Sequence, residues 1–201
     1  FGGVAMVLGM ALAILLFMVL PTLLIGQIRR VIVSPLLLSL IEAAVKIGIF
    51  ILYLFAISRM SDIRRVFEYH GAEHKTIACY EAGDELTPEN AAKYTRFHPR
   101  CGTSFILIVI IVSVLIFSLV SWDNLAVRIA LKLICLPLVV GIAYEIIKLA
   151  GRYNNFCTRF ISAPGLWLQR LTTREPDSTQ LEIAIAAMKP CIPENQDEDR
   201  W

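Results

Sequence analysis

Apolar runs and polar stretches alternate along the chain on the length scale of a bilayer. Val4–Ile25, "VAMVLGMALAILLFMVLPTLLI", carries no charge, and Leu36–Ile57 is apolar except for Glu42 and Lys46. Ser104–Ser121 is short but uncharged, while Val127–Ala150 keeps its charges, Arg128, Lys132, Glu145 and Lys148, near its two ends. A helical bilayer crossing takes about 20 residues, so the pattern predicts four spans rather than a soluble helical core. The expected fold class is an all-α membrane protein with four transmembrane helices. Residues 1–57 hold spans 1 and 2, and 58–103 form a helical loop with a candidate metal site. Residues 104–150 hold spans 3 and 4, and 151–201 form an amphipathic C-terminal region of interfacial segment, short helix and frayed tail.

Local signals subdivide the polar parts. Asp62–Ala82 reads as a helix, with Gly83 as its stop. Thr87-Pro88-Glu89 opens a second, short helix, Thr as N-cap and Pro at the first helical position. That helix is expected to run to about Phe97 and to end before Pro99. The stretch "FCTRFISAPGLWLQRL" mixes aromatic and aliphatic residues with arginines and suits a membrane interface. "DSTQLEIAIAAM" is a last short helix capped by Asp177 or Ser178, and "PENQDEDRW" is expected to fray.

Composition sharpens the class. Of 201 residues, 57% are hydrophobic and 18% charged, against roughly 45–50% and about 25% in soluble domains. A net charge of +2 with no aromatic-basic stripe gives no sign of a nucleic-acid partner, and none is expected. The loop between spans 2 and 3 carries Arg59, Arg64, Arg65, Lys75, Lys93, Arg96 and Arg100, and the tail adds Arg152, Arg159, Arg170 and Arg174. Positive-inside counting therefore places loop and C-terminus in the cytoplasm, against the opposing pull of Arg29 and Arg30. The five cysteines are odd in number, scattered, and never in a CxxC pair. That is not a disulfide framework, and reduced thiols are expected. The chain opens on Phe1 and enters an apolar run almost at once, so an upstream part is expected to be missing.

The loop holds the candidate chemistry. His70, Glu73 and His74 fit the pattern H-x-x-E-H. At about 100° per residue the three share one helix face. Two imidazoles at i and i+4 suit one zinc ion, with the intervening carboxylate as general base toward a zinc-activated water. The third histidine, His98, and Cys101 follow in "HPRCG" of the same loop. Cys101 or His98 would complete a catalytic site of three protein ligands, and both together would close a structural one. The residues leave that choice open, and they leave open a plain amphipathic helix with incidental histidines. Cys79 lies about 140° around the helix from His74 and is expected to pack rather than bind. Glu145, Glu182 and Arg174 are lesser candidates for the site. Glu42 and Lys46 are one helical turn apart in span 2 and Lys132 begins span 4 on the same side, which suggests a structural ion pair or, failing that, a path for an ion or small solute.

At "EYHGAEHKTIACYEAGDELTPENAAKYTRFHPRCGTSF" and again at "PGLWLQRLTTREPDSTQLEIAIAAM" the chain resembles a bacterial YqhQ-like integral-membrane family of unknown function, whose members carry the label of predicted metal-dependent enzyme. The resemblance covers nearly the whole chain. It implies a multi-pass protein of the bacterial plasma membrane with His70, Glu73, His74, His98 and Cys101 in its signature. Members usually carry a further glycine-rich polar N-terminal region. The expected function is a membrane-bound zinc hydrolase, with the metal on His70, His74 and Cys101 or His98 and with Glu73 catalytic. The alternative is a non-enzymatic transport or assembly component with a structural zinc. The expected partners are the lipid bilayer and an unidentified substrate, and homo-oligomerisation is left open.

Overall fold

The computed structural model describes residues 2–29, 31–32, 34–120, 123–153 and 155–193, and the described residues are mostly helical with no strand. The frayed tail expected at the C-terminus falls almost entirely outside them, as does Arg30. Helix α1 is Gly2–Ile28, with one π-helical turn at Leu15–Val19 just before Pro21. Helix α2 is Pro35–Ile57, α3 Ser61–Glu81, α4 Pro88–Ala91 and α5 Gly102–Ser118. Helices α6, Leu125–Arg152, α7, Phe156–Thr172, and α8, Ser178–Met188, complete the chain before a 3-10 turn at Lys189–Cys191.

Among the described residues three helices, α1, α2 and α6, are long and apolar enough to cross a membrane, not the four that the hydrophobic pattern predicts. The third apolar run forms α5, which is 17 residues long. At 1.5 Å per residue it reaches about 26 Å, short of the roughly 30 Å hydrocarbon core. The short helix after Thr87 is also shorter than expected. It stops at Ala91, because the Ala92 and Tyr94 carbonyls turn to the ammonium of Lys75, at 3.1 and 2.7 Å.

The chain divides into two compact units, Phe1–Tyr53 with Ile106–Glu145, and Leu54–Phe105 with Ile146–Trp201. In the first, no side chain of Gly2–Ile14 is buried, although the segment carries no charge. Its polar centre is Glu42, 3% exposed, which collects partners from all three long helices. Thr22 of α1 donates to Oε1 at 2.8 Å, Lys46 lies 3.2 Å away one turn along α2, and Lys132 of α6 pairs with the same oxygen. Arg128, one turn before Lys132, reaches Oε2 at 3.5 Å and Ser39 at 3.2 Å. The expected Glu42–Lys46–Lys132 association is thus present, and Arg128, fully buried, joins it.

The second unit is built on α3 and α8. Ala72, Cys79 and Ala91 pack against Leu181, Ala184 and Ile185, small residues that let the helix axes approach closely. Both helices are capped as the sequence suggests. Gly83, at φ 79°, ends α3: its N–H donates to Tyr80 at 2.9 Å and the Asp84 N–H to Cys79 at 3.2 Å, the paired bonds of a Schellman stop. Asp177 and Gln180 form a reciprocal capping box at the start of α8. The segment between α7 and α8 crosses α3 at Gly71, where a Cβ would fall 2.0 Å from the Arg174 carbonyl oxygen. Only glycine admits that crossing, and the crossing is what brings the "TTRE" backbone over the histidines.

Candidate metal centre

His70 and His74 stand one turn apart on α3, their ring centroids 4.4 Å apart. Cys101, the residue before α5, comes up to meet them, and one ligand atom from each of the three lies within 4.8 Å of the others. Four-coordinate zinc holds its nitrogen and sulfur ligands about 3.3–3.5 Å from one another, so a small adjustment would suit an ion. The ring orientations are set by backbone carbonyls. His70 Nδ1 lies 2.8 Å from the Thr172 oxygen, and His74 Nδ1 lies 2.6 Å from the Arg96 oxygen. A carbonyl only accepts, so each Nδ1 is the donor, and in the neutral ring each Nε2 keeps its lone pair. The Nε2 of His70 is 3.1 Å from the Cys101 sulfur. This is the tautomer that a histidine ligand needs, fixed by the outer hydrogen bond that such ligands commonly make.

The electrostatics agree with the geometry. With Nδ1 committed to Thr172, the hydrogen bond from His70 Nε2 to Cys101 belongs to the imidazolium form, in which no metal is bound. Burial alone would raise the Cys101 thiol, but that bond, together with bonds from His74 and Thr103, outweighs it and brings the thiol to about 5. The thiolate is thus the form favoured near neutral pH, and it is the form that ligates metals. His70 moves the other way. Its hydrogen bond to Cys101 raises its proton affinity despite burial, with smaller contributions from the Thr172 carbonyl and the charge of Glu73.

A second tier of contacts holds the two carbonyls in place. Lys75, buried beside the histidines on α3, lies 3.0 Å from Glu175, and Arg96 lies 3.3 Å from the same carboxylate. Arg96 also donates to the Thr173 carbonyl and, at 2.8 Å, to its hydroxyl. From α7, the fully buried Gln169 clamps the backbone of His98, accepting from its N–H at 2.8 Å and donating to its carbonyl at 2.6 Å. None of Arg96, Gln169, Thr172 or Glu175 is singled out by sequence reasoning. Two of the four, Arg96 and Thr172, act through backbone carbonyls, which no residue letter reports.

The other candidate residues are placed differently. His98 is buried near His74, with centroids 5.7 Å apart, but its nitrogens are turned elsewhere. Its Nδ1 accepts the Arg100 N–H at 3.3 Å, and its Nε2 lies 3.5 Å from Glu81. Hydrogen bonding to His98, with help from the nearby Arg100, holds the Glu81 carboxyl below its usual range against the effect of burial. Glu73 is exposed on α3. Arg174 contributes its backbone, donating from N–H to the Phe67 carbonyl at 2.8 Å. Glu182 and Glu145 are exposed positions of α8 and α6. Cys79 packs in the α3–α8 core, where burial raises its thiol. Among the described residues Cys79, Cys101, Cys135 and Cys191 are free thiols. A cavity of about 830 Å³ is lined by Glu81, Arg100, Asp84, Arg152 and apolar neighbours, and none of the three clustered residues lines it.

The model of DUF1385, a family described as proteins of unknown function, matches residues 2–194. The chain belongs to DUF1385. The DUF1385 chain is 40% identical over 153 residues to the "Uncharacterized protein YqhQ" of Bacillus subtilis (strain 168), a match covering 76% of this chain and 48% of that protein. It therefore spans about half the length of that relative. No solved structure matches the DUF1385 chain.

Proposed function

We propose that this DUF1385 protein is a membrane-bound zinc hydrolase whose site lies on the cytoplasmic face. His70 and His74 would bind through Nε2 and Cys101 through its thiolate, leaving a fourth position open as hydrolytic zinc sites do. The observation that carries the reading is the convergence of those three ligand atoms while His98 is engaged by Glu81 and the Arg100 backbone. Zinc held there would supply Lewis acidity toward a carbonyl or phosphoryl oxygen. Glu73, exposed one turn along from His70, is the group available to take a proton. Burial of His74 and Cys101, 4% and 5% exposed, favours a second reading, a structural zinc that staples the start of α5 to α3.

Contacts inside the second unit support a topology for this reading. The loop that carries α3 packs against the tail that carries α8, so both lie on one side of the membrane. Between them the chain must cross an even number of times. If α6 crosses once, this reading requires α5 to cross as well even though it is short of a full span, with the bilayer thinned locally around its 17 residues. The arginine-rich loop and tail then share the cytoplasmic side.

Glu73→Gln separates the two readings. The hydrolase reading expects the variant to retain zinc and to lose hydrolysis of chromogenic carboxylic and phosphate esters. Unchanged hydrolysis in the variant, together with unfolding of the cytoplasmic unit on chelation, would favour the staple.

A further inference from the structure

Helix α7 is built inside out for a helix of a soluble surface. Its inward positions are mostly small or polar, with Ser162, Gly165, Gln169 and Thr172 buried beside one large apolar side chain, Leu168. Its outward positions include Phe156 at 84% exposure, Phe160 at 73% and Trp167 at 54%. At about 100° per residue, these three fall within some 40° of one another, a single aromatic stripe running the length of the helix. Arg159 and Arg170 lie along one edge of that stripe, about 40–60° from Phe156, and α7 contains no acidic residue. The inward face is fully committed: Gln169 holds the His98 backbone, and a Cβ at Gly165 would fall 2.3 Å from the Ser104 hydroxyl. The helix therefore cannot rotate to bury its aromatic stripe without losing those contacts.

The position in the chain says what covers the stripe. Helix α7 begins at Phe156, four residues after the apolar helix α6 ends at Arg152. A helix tethered that closely to the end of a membrane span lies at the level of the headgroups. We propose that the outer face of α7 is a lipid-binding surface for anionic phospholipids. Phe156, Phe160 and Trp167 sit at the boundary of headgroups and acyl chains, and Arg159 and Arg170 meet lipid phosphates. Aromatic residues are favoured at that depth, and basic residues are drawn to an anionic leaflet. The inference rests on the membrane reading and is independent of zinc. Its consequence for the candidate centre is positional: the helix that supplies the Thr172 carbonyl to His70 would have its other side in lipid.

The test uses the full chain reconstituted in vesicles, with Trp122→Phe and Trp201→Phe leaving Trp167 as the sole tryptophan. Flotation with the vesicles first establishes insertion, and a chain that stays in the aqueous fraction overturns the membrane reading and this proposal together. For inserted protein, Trp167 fluorescence is expected to be quenched several-fold more by lipid brominated near the headgroup than by aqueous iodide. The quenching should strengthen when anionic phosphatidylglycerol replaces phosphatidylcholine, and Arg159→Gln with Arg170→Gln should abolish that increment. Iodide quenching as strong as for an exposed tryptophan would overturn the proposal. So would protection from both quenchers, which would mark the face as a contact between copies of the chain. Equal quenching in the two lipids would overturn the assignment of the arginines to phosphate.

Discussion

Two polar clusters are buried among the helices of this protein, one in each unit, and they are wired in opposite ways. Around Glu42 the charged heads face one another: one carboxylate receives Lys46, Arg128, Lys132 and Thr22. Around Cys101 the polar atoms face one another only on the inside, while the outer nitrogens of His70 and His74 are tied to backbone carbonyls. The first arrangement needs nothing further to join three helices. The second brings the inner nitrogens of two imidazoles and one sulfur within 4.8 Å of one another, a grouping that could take a ligand. A buried polar cluster is therefore not by itself a site, and the direction in which its lone pairs point separates glue from chemistry.

The largest effect is expected where the glue is broken. Glu42→Ala leaves three cations buried without their shared carboxylate and should cost about 3–5 kcal/mol. The loss should appear as a lowered unfolding midpoint in detergent, with zinc content of the folded fraction unchanged. Loss of zinc in step with stability would merge the two clusters into one. Gly71→Ala is next. Its methyl group meets the Arg174 carbonyl, so the "TTRE" backbone must shift from α3 at a cost of about 1–3 kcal/mol. Because that backbone orients His70, zinc affinity should fall as well, although no ligand has been changed. A titration with a competing chelator reads the change.

The protonation of Cys101 sharpens the comparison without a mutation. In metal-free protein its thiol is held at about 5, below the ordinary value of 9.0. Thiolate absorbance, taken as the difference from Cys101→Ser, should persist at neutral pH and fade only as the pH drops through about 5. The associated stabilisation has the same sign: it is fully present above the unfolded thiol's value and is lost as the pH falls through the folded one. A thiolate signal that appears only above pH 8 would contradict the hydrogen-bonded geometry. The smallest effect belongs to Glu175→Gln. Its carboxylate is 67% exposed, so its links to Lys75 and Arg96 should contribute no more than about 1 kcal/mol of stability.

Much of this was legible in the sequence, and the parts that were not have physical reasons. The uncharged runs disclosed the long helices, because a helix in hydrocarbon must be apolar over its length. They also predicted a fourth span where α5 falls a turn short. Thr87, Gly83 and Asp177 marked helix ends, because caps are local and depend on side chains. The short helix ends well before Phe97, since Lys75, distant in sequence, draws off the carbonyls of Ala92 and Tyr94. His70, His74 and Cys101 could be nominated from residue type and spacing. What spacing could not show was that the turn at Pro99 directs His98 toward Glu81, or that the carbonyls of Thr172 and Arg96 hold the rings. Arg128 looked like a charge at the end of a span and is instead fully buried against Glu42.

The most direct test of the central claim is the zinc content of the purified protein beside His98→Ala and Cys101→Ser. The account predicts one zinc ion per chain in the wild type, the same stoichiometry in His98→Ala, and none in Cys101→Ser. A wild-type protein without zinc, or equal loss of zinc in the two variants, would contradict it.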